Sequence, residues 1–338
     1  MIKVTHPSGQ VSATVVAHSI SQEGKEMITF EIEYPRIILA ELNTHRQLSK
    51  NSSSSRAIPV KKVNQMISEA PAMPVRFGQH QAGMQDQGVD YEEDIYFNGD
   101  YLSAQDFWEE SAKDAIYFST IYAEHGYAKQ ICNRLTEPFQ RMKTVISGTE
   151  WENFFWLRCD ADADPTIEAL ATTIRQAKEQ STPELLLPGE WHTPYVDHFY
   201  DNAGAEGDDS FVFGGYCVED ENGEVVVLTR EEAIAISASC CAQVSYRVLN
   251  NSKEKALDIY GKLLIGNKIH ASPFEHQATP MEFPTGKSWL DSLMTGEITQ
   301  DSVKWEKGTT HLNQEDKFGS GNLVGWIQHR QLLQNHSK

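Results

Sequence analysis

The stretch HRQLSKNSSSSR, residues 45–56, sets four consecutive serines between a His-Arg pair and a further arginine. Serine and asparagine tolerate irregular backbone and offer hydroxyl and amide hydrogen bonds. Flanking guanidinium groups are bidentate donors suited to a phosphate. Two readings follow: a solvated serine linker, or a nucleotide-phosphate cradle built from His45, Arg46, Ser49, Asn51, Ser52, Ser54 and Arg56. Just upstream, Ile28, Phe30 and Ile32 alternate with other residues, which predicts a strand. Pro35 interrupts it, and IILAEL (37–42) suits a short helix leading into His45 and Arg46.

Downstream, residues 71–100 are rich in Gly, Gln and Asp and show no period, as expected of a mobile lid or a surface insertion. Ser103, three residues before Asp106, fits the N-cap of a helix running through FWEESAKDAIYFSTIYAEHG (107–126). Further helices are predicted from about 127 to before Pro138, over 149–157, and over 165–179 with Pro165 in the first turn. Residues 211–228 read as a hairpin turning at Asn222-Gly223. Thr229 with Glu232 makes a capping box for the next helix, and another runs from Ser252 to about Gly266. Strands and helices are segregated, which predicts an α+β class. The expected organisation is one integrated domain in four stretches. Residues 1–70 carry the strand and the His-Arg/Ser motif, 71–102 an insertion loop, 103–200 a helical block, and 201–338 the hairpin, helices and C-terminal motifs.

Lys and Arg number 29 against 48 Asp and Glu, a formal charge of −19. That acidity argues against a nucleic-acid partner but leaves room for a small phosphorylated ligand held by two or three arginines. No apolar run approaches the roughly 20 residues of a membrane span, and no signal-peptide pattern opens the chain, so a cytoplasmic protein is expected. Five cysteines without C-x-x-C read as reduced thiols, and no metal site is expected. G-x-S-x-G, G-x-G-x-x-G and the P-loop pattern are absent.

Three further segments could carry chemistry. IHASPFEH (269–276) sets His270, Ser272, Glu275 and His276 around a Ser-Pro. Its histidines lack helical metal spacing, so it is either a Pro-initiated turn with surface histidines or a set of hydrogen-bonding groups for a polar cofactor. NRLTEP (133–138) and ENFFWLR (152–158) place Arg134 and Arg158 beside apolar residues. Each is a candidate buried ion-pair partner or a donor to an anion or polarised carbonyl. THRQLSKN (44–51) and QHRQLLQN (328–335) share His-Arg-Gln-Leu and a closing Asn, by chance or by repetition.

The pattern H-R-x-x-S-x-N-x-x-S-x-R resembles the signature of the flavin-dependent thymidylate synthases, R-H-R-x7-S with a following arginine. Arg134 with Pro138 resembles that family's arginine-to-proline segment, and Asn153 with Arg158 its N-x4-R helix. HASPFEH resembles its H-x-[ST]-x-F-E-H motif, and CCAQVSY (240–246) its A-A-R-V-S-[FY] segment. The order is unusual, since these last two follow the His-Arg motif instead of preceding it. This resembles a circular permutation, or a duplication in which GWIQHRQLL (325–333) is a truncated second copy.

The resemblance implies a flavin-dependent thymidylate synthase-like fold, antiparallel sheet with a central helical block, assembled as a homotetramer. It implies FAD contacts at His45, Arg46, Gln47, Asn153, His270, Ser272 and Glu275. It implies a pyrimidine deoxynucleotide monophosphate at Glu41, Ser52, Ser54, Ser55, Arg56, Arg134 and Arg158, with Arg158 and Ser54 catalytic. The implied reaction moves a one-carbon unit from methylenetetrahydrofolate to C5 of dUMP, and NADPH reduces the flavin. Departures from the pattern are Thr44 for the first motif arginine, Glu41 for glutamine, Ser52 for glutamate, Ala57 for tyrosine, and ADPTI (163–167) for A-Q-x-E-I. They keep two alternatives open: methylation or hydroxymethylation of another pyrimidine nucleotide such as dCMP, and a non-catalytic nucleotide- or flavin-binding homologue.

Overall fold

The computed structural model describes residues 1–83, 85–202, 211–220, 222–245, 252–265, 269–297 and 304–337. Strands β1 (Ile2–Thr5), β2 (Ser12–Ile20) and β3 (Glu26–Pro35) form an antiparallel meander, and β3 is the strand that the alternation predicts. A 3-10 turn at Arg36–Ile38 leads into helix α1 (Leu39–Thr44), which ends at His45, and β4 (Ser49–Ser52) follows. Helix α2 (Val60–Glu69) precedes the insertion, which closes on a small hairpin of β5 (Ile95–Phe97) and β6 (Asp100–Leu102). Helix α3 (Ala104–Glu124) starts on Ser103, whose hydroxyl accepts from the Asp106 N–H. Helix α4 (Lys129–Arg134) is shorter than predicted, because a 3-10 turn at Glu137–Phe139 takes over before Pro138 can continue a helix.

The stretch 103–200 is not the helical block expected. It contains β7 (Arg141–Gly148), which sits between β3 and β4 in the sheet order β1-β2-β3-β7-β4, while β8 (Glu184–Leu185) pairs in parallel with β2. RMKTVISG hides its strand character because each face is mixed: Thr144 and Gly148 share a face with Met142 and Ile146, and Val145 shares the other with Ser147. Gly148 lets Leu48 pack closely there: a Cβ would lie 2.5 Å from Leu48 Cδ2 and make that side chain shift. Helices α5 (Glu152–Arg158) and α6 (Pro165–Glu179) then match expectation, α6 being capped by Asp164.

One sheet face carries Ile28, Phe30, Ile32 and Tyr34 against Ile167, Leu170 and Ile174 of α6 and Phe154 of α5. The alternation leaves the other face of β3 polar, yet Thr29 and Ser147 on it are fully buried. The C-terminal half of the chain covers them. It contains β9 (Asp197–Asn202), β10 (Phe211–Glu219), β11 (Val225–Leu228), α7 (Arg230–Ala242) and α8 (Lys253–Leu264). It continues with β12 (Ala278–Pro280), α9 (Gly286–Thr295), β13 (His311–Leu312), β14 (Phe318–Ser320), β15 (Leu323–Val324) and β16 (Trp326–Gln328). Cys241 and Val244 pack on Val145, while Leu186, Ala278 and Trp326 pack on Met27. The class is mixed helix and sheet, as read from the sequence.

Burying polar groups on this second face requires partners, and a chain of hydrogen bonds supplies them. Ser19 Oγ meets His192 Nδ1 at 2.8 Å, and His192 Nε2 meets Thr29 Oγ1 at 2.8 Å. Thr29 meets Ser147 Oγ at 2.6 Å, and Ser147 meets His276 Nδ1 at 2.8 Å. Burial holds both imidazoles neutral: it pushes His276 down to about 3 and His192 well below its ordinary value.

The capping box at α7 forms as predicted, Thr229 Oγ1 accepting from the Glu232 N–H and Glu232 returning to the Thr229 N–H. Thr229→Ala is expected to cost about 1 kcal/mol of stability in urea unfolding.

Candidate functional site

Helix α1 delivers Glu41, Thr44 and His45 to one end of β4, and α5 delivers Arg158 to the same place. Arg158 Nε donates to His45 Nε2 at 2.9 Å, Nη1 to Glu41 Oε2 at 3.2 Å, and Nη2 to Thr44 Oγ1 at 3.4 Å. An imidazole nitrogen that accepts from a guanidinium is neutral and carries its proton on the other nitrogen. Burial first, then the charges of Arg158 and Lys50, hold His45 down at about 4. Its ring sits edge-on to Phe154 at 4.9 Å. With three N–H bonds directed to its own chain, Arg158 is held in orientation, and two further N–H groups remain for a ligand. Arg158 is thus an ion-pair partner of Glu41, at 20% side-chain exposure.

Arg46, Gln47 and Asn153 are exposed. Together with Thr44, His45, Phe154 and Leu157 they border a cavity of about 280 Å³. Arg158 and Glu41 border a separate cleft of about 610 Å³, which Arg76, His80 and Asp86 of the insertion also line. That part of the insertion is tied down by the Arg76–Asp86 ion pair, by Asp90 accepting from the Phe77 N–H at 2.7 Å, and by Gln85 donating to Asp162 at 2.7 Å.

The serine run is no linker. Ser52 belongs to β4 and accepts from Thr144 Oγ1 at 2.8 Å, and Ser54 Oγ accepts from the Arg56 N–H at 3.2 Å, closing a turn. Ser53, Ser54 and Ser55 border an apolar cavity of about 220 Å³ with Ile58, Met66 and Phe139. Asn133 of α4 fastens this turn by donating to the carbonyls of Ser55 at 2.8 Å and Ile58 at 3.0 Å. Arg56 and Arg134 are exposed beside it, so Arg134 is not a buried ion-pair partner. The serine turn and the Arg158 cluster border different cavities, of about 220 Å³ and about 610 Å³. Within one chain the predicted substrate residues therefore form two groups, Glu41 with Arg158 and Ser52–Arg56 with Arg134.

IHASPFEH, 220 residues away in sequence, folds against the middle of β4. Ser272 Oγ donates to Asn51 Oδ1 at 3.0 Å, and Asn51 Nδ2 donates to the Cys241 carbonyl at 2.6 Å. His270 is exposed, whereas His276 is fully buried and not the surface histidine of the plainer reading. Glu275 is ion-paired with Arg330 of the second His-Arg-Gln segment. That segment differs in form from the first: His45 ends a helix, whereas His329 opens a 3-10 turn and is buried against Phe274 and Trp191. Tyr246 of CCAQVSY lies outside the described residues.

Sequence reading missed Lys50. Its ammonium is half-buried and donates to the carbonyls of His45 and of Leu48, the latter at 2.8 Å. Burial lowers it to about 8, with Glu275 opposing. Only its position inside the motif could have marked it.

No protein-family model matches the chain, and no curated protein matches it. Solved structures do. Two crystal structures of ThyX, the flavin-dependent thymidylate synthase of Helicobacter pylori, each with FAD and dUMP, are 16% and 17% identical. The likeness spans 45% of this chain and 67% of ThyX, with a TM-score of 0.30.

Proposed function

We propose that the chain is a flavin-dependent pyrimidine-nucleotide C5 methylase, with dUMP as substrate, methylenetetrahydrofolate as one-carbon donor and NADPH as reductant. The observation that carries this reading is the meeting of distant motif segments around one short strand. Arg158 reaches His45 at 2.9 Å at one end of β4, and Ser272 reaches Asn51 at 3.0 Å in its middle.

The cavity bordered by Arg46, Gln47 and Asn153, about 280 Å³, would take one part of FAD: a cation and two amides face it, Phe154 and Leu157 offer an apolar wall, and Glu150 also borders it. Those residues and Ser272 would hold the dinucleotide, which when bound supplies the redox chemistry. The chain's own residues bind and orient. Arg158, fixed by His45, Glu41 and Thr44, would present its free N–H groups to a pyrimidine carbonyl and stabilise negative charge developing there. The serine turn with Arg56 and Arg134 would take the phosphate. Its separation from Arg158 favours a site shared between copies in a homotetramer, and exposed Tyr117, Phe118, Tyr122 and Trp156 provide apolar surface for such contacts.

Purified protein reconstituted with FAD should be yellow and should release tritium from 5-tritiated dUMP when given the folate and NADPH. Colourless protein without release would refute the reading. Glu41 favours a second: a carboxylate 3.2 Å from Arg158 is an anionic acceptor facing the ligand side. Mass spectrometry of the products from dUMP and dCMP separates the two substrates and shows whether methyl or hydroxymethyl is left on C5.

A further inference from the structure

The second His-Arg-Gln segment has no role in the reading above, yet it meets the first at close range. Asn322, in the turn before β15, bonds to both sides of the His45–Ser49 turn. Its Nδ2 donates to the Gln47 carbonyl at 2.8 Å, and its Oδ1 accepts from Ser49 Oγ at 3.0 Å. The same oxygen accepts from Gln328 Nε2 at 2.9 Å. Gln328 is 1% exposed, and its amide also reaches the Glu275 carbonyl at 3.3 Å. Gly321 lets the two elements approach this closely: at φ +62°, a Cβ there would lie 2.6 Å from Gln328 Oε1. Arg330 closes the set through Glu275. Lys50 holds the carbonyls of His45 and Leu48. The turn itself has a single long internal bond, Leu48 N–H to His45 O at 3.3 Å. Its shape therefore depends on groups outside it: Lys50 beside it, and Asn322 more than 270 residues later.

We propose that residues 321–331 are a brace and not a second ligand site, with Asn322 and Gln328 as positioning residues that set the His45-Arg46-Gln47 turn facing the cofactor cavity. The role of that cavity rests on the function proposed above; the brace does not. Losing the Gln47 and Ser49 bonds leaves Arg46 and Gln47 on a turn free to sample other conformations, so a ligand must order them on binding.

The test uses the full chain. Amide exchange at Leu48 and at Thr144–Ser147 is compared in the wild type and in Asn322→Ala, alongside FAD titration and melting. The brace predicts faster exchange at Leu48 with Thr144–Ser147 unchanged, and FAD affinity about tenfold weaker. Asn322→Asp keeps the acceptor for Ser49 and Gln328 but loses the donor to Gln47; it should fall between, and it serves if the alanine variant does not fold. Unchanged exchange at Leu48 in both variants overturns the brace, as does full FAD affinity in a variant of an FAD-binding wild type. If exchange rises but the wild type binds no FAD, the brace stands and the flavin reading falls.

Discussion

Arg158→Ala is expected to lower kcat/KM for the nucleotide by about 100- to 1,000-fold, the range for deleting one preorganised donor to a developing oxyanion. Tritium release measures it. Stability should hardly move. The Arg158–Glu41 pair is at the surface, with Glu41 at 41% side-chain exposure, and exposed ion pairs contribute at most about 1 kcal/mol. A large activity loss with an unchanged melting temperature is therefore the signature of a ligand-facing guanidinium. Arg158→Lys retains the charge but not the fork that spans His45, Glu41 and Thr44, so it should recover little activity. The variant also has a spectroscopic mark: Arg158 is one cause of the low His45 pKa, and removing it should move the His45 titration upward in NMR. If Arg158→Ala keeps wild-type turnover, the charge-stabilising role is wrong.

Acid should destabilise the fold steeply between about pH 6.5 and 4. His192, His276 and His329 are neutral when folded: burial holds His276 at about 3, His329 at about 4 and His192 well below its ordinary value. The unfolded chain takes up protons on these rings below about pH 6.5, and the folded chain does not until near pH 4 or lower. The unfolded state thus binds more protons across that window, so stability falls as pH falls. Each ring contributes about 1.4 kcal/mol per pH unit, together about 4 kcal/mol per unit at most. Urea unfolding at pH 7 and pH 5.5 reads the loss. His276→Asn keeps a partner for Ser147 at the Nδ1 position and should flatten the slope by about one ring's share. Coincident curves for the wild type at the two pH values would refute buried neutral histidines.

Local signals in the sequence were dependable where a single turn decides the outcome. Ser103 and Thr229 cap the helices they were expected to start, and Pro165 falls in the first turn of α6 as expected. Pro35 ends β3, and the His-Arg pair follows a short helix. The candidate site was legible as separate motifs, and the contacts of Arg158 with His45 and of Ser272 with Asn51 bring several of them to one strand. The reading failed where a group's environment comes from remote chain. Strand β7 went unread because Thr144 and Gly148 fall on its apolar face and Val145 on the other, which breaks the alternation that marks a strand. Lys50 holds backbone carbonyls, which any residue could supply, and Asn322 meets Gln47 and Ser49 from more than 270 residues away, so neither pairing could be read from the sequence.

The sequence alone therefore determined the helix starts, the strand β3, the mixed class and the residue types available for anion binding, all consequences of backbone preference and side-chain period over a few residues. Only the tertiary structure decided that the serine turn and Arg158 border different cavities. It also decided that Thr29 and Ser147 are buried under the C-terminal half, and that Asn322, just before the second His-Arg-Gln segment, bonds to the first. These depend on which distant surfaces exclude water from one another, and no short window of residues contains that information.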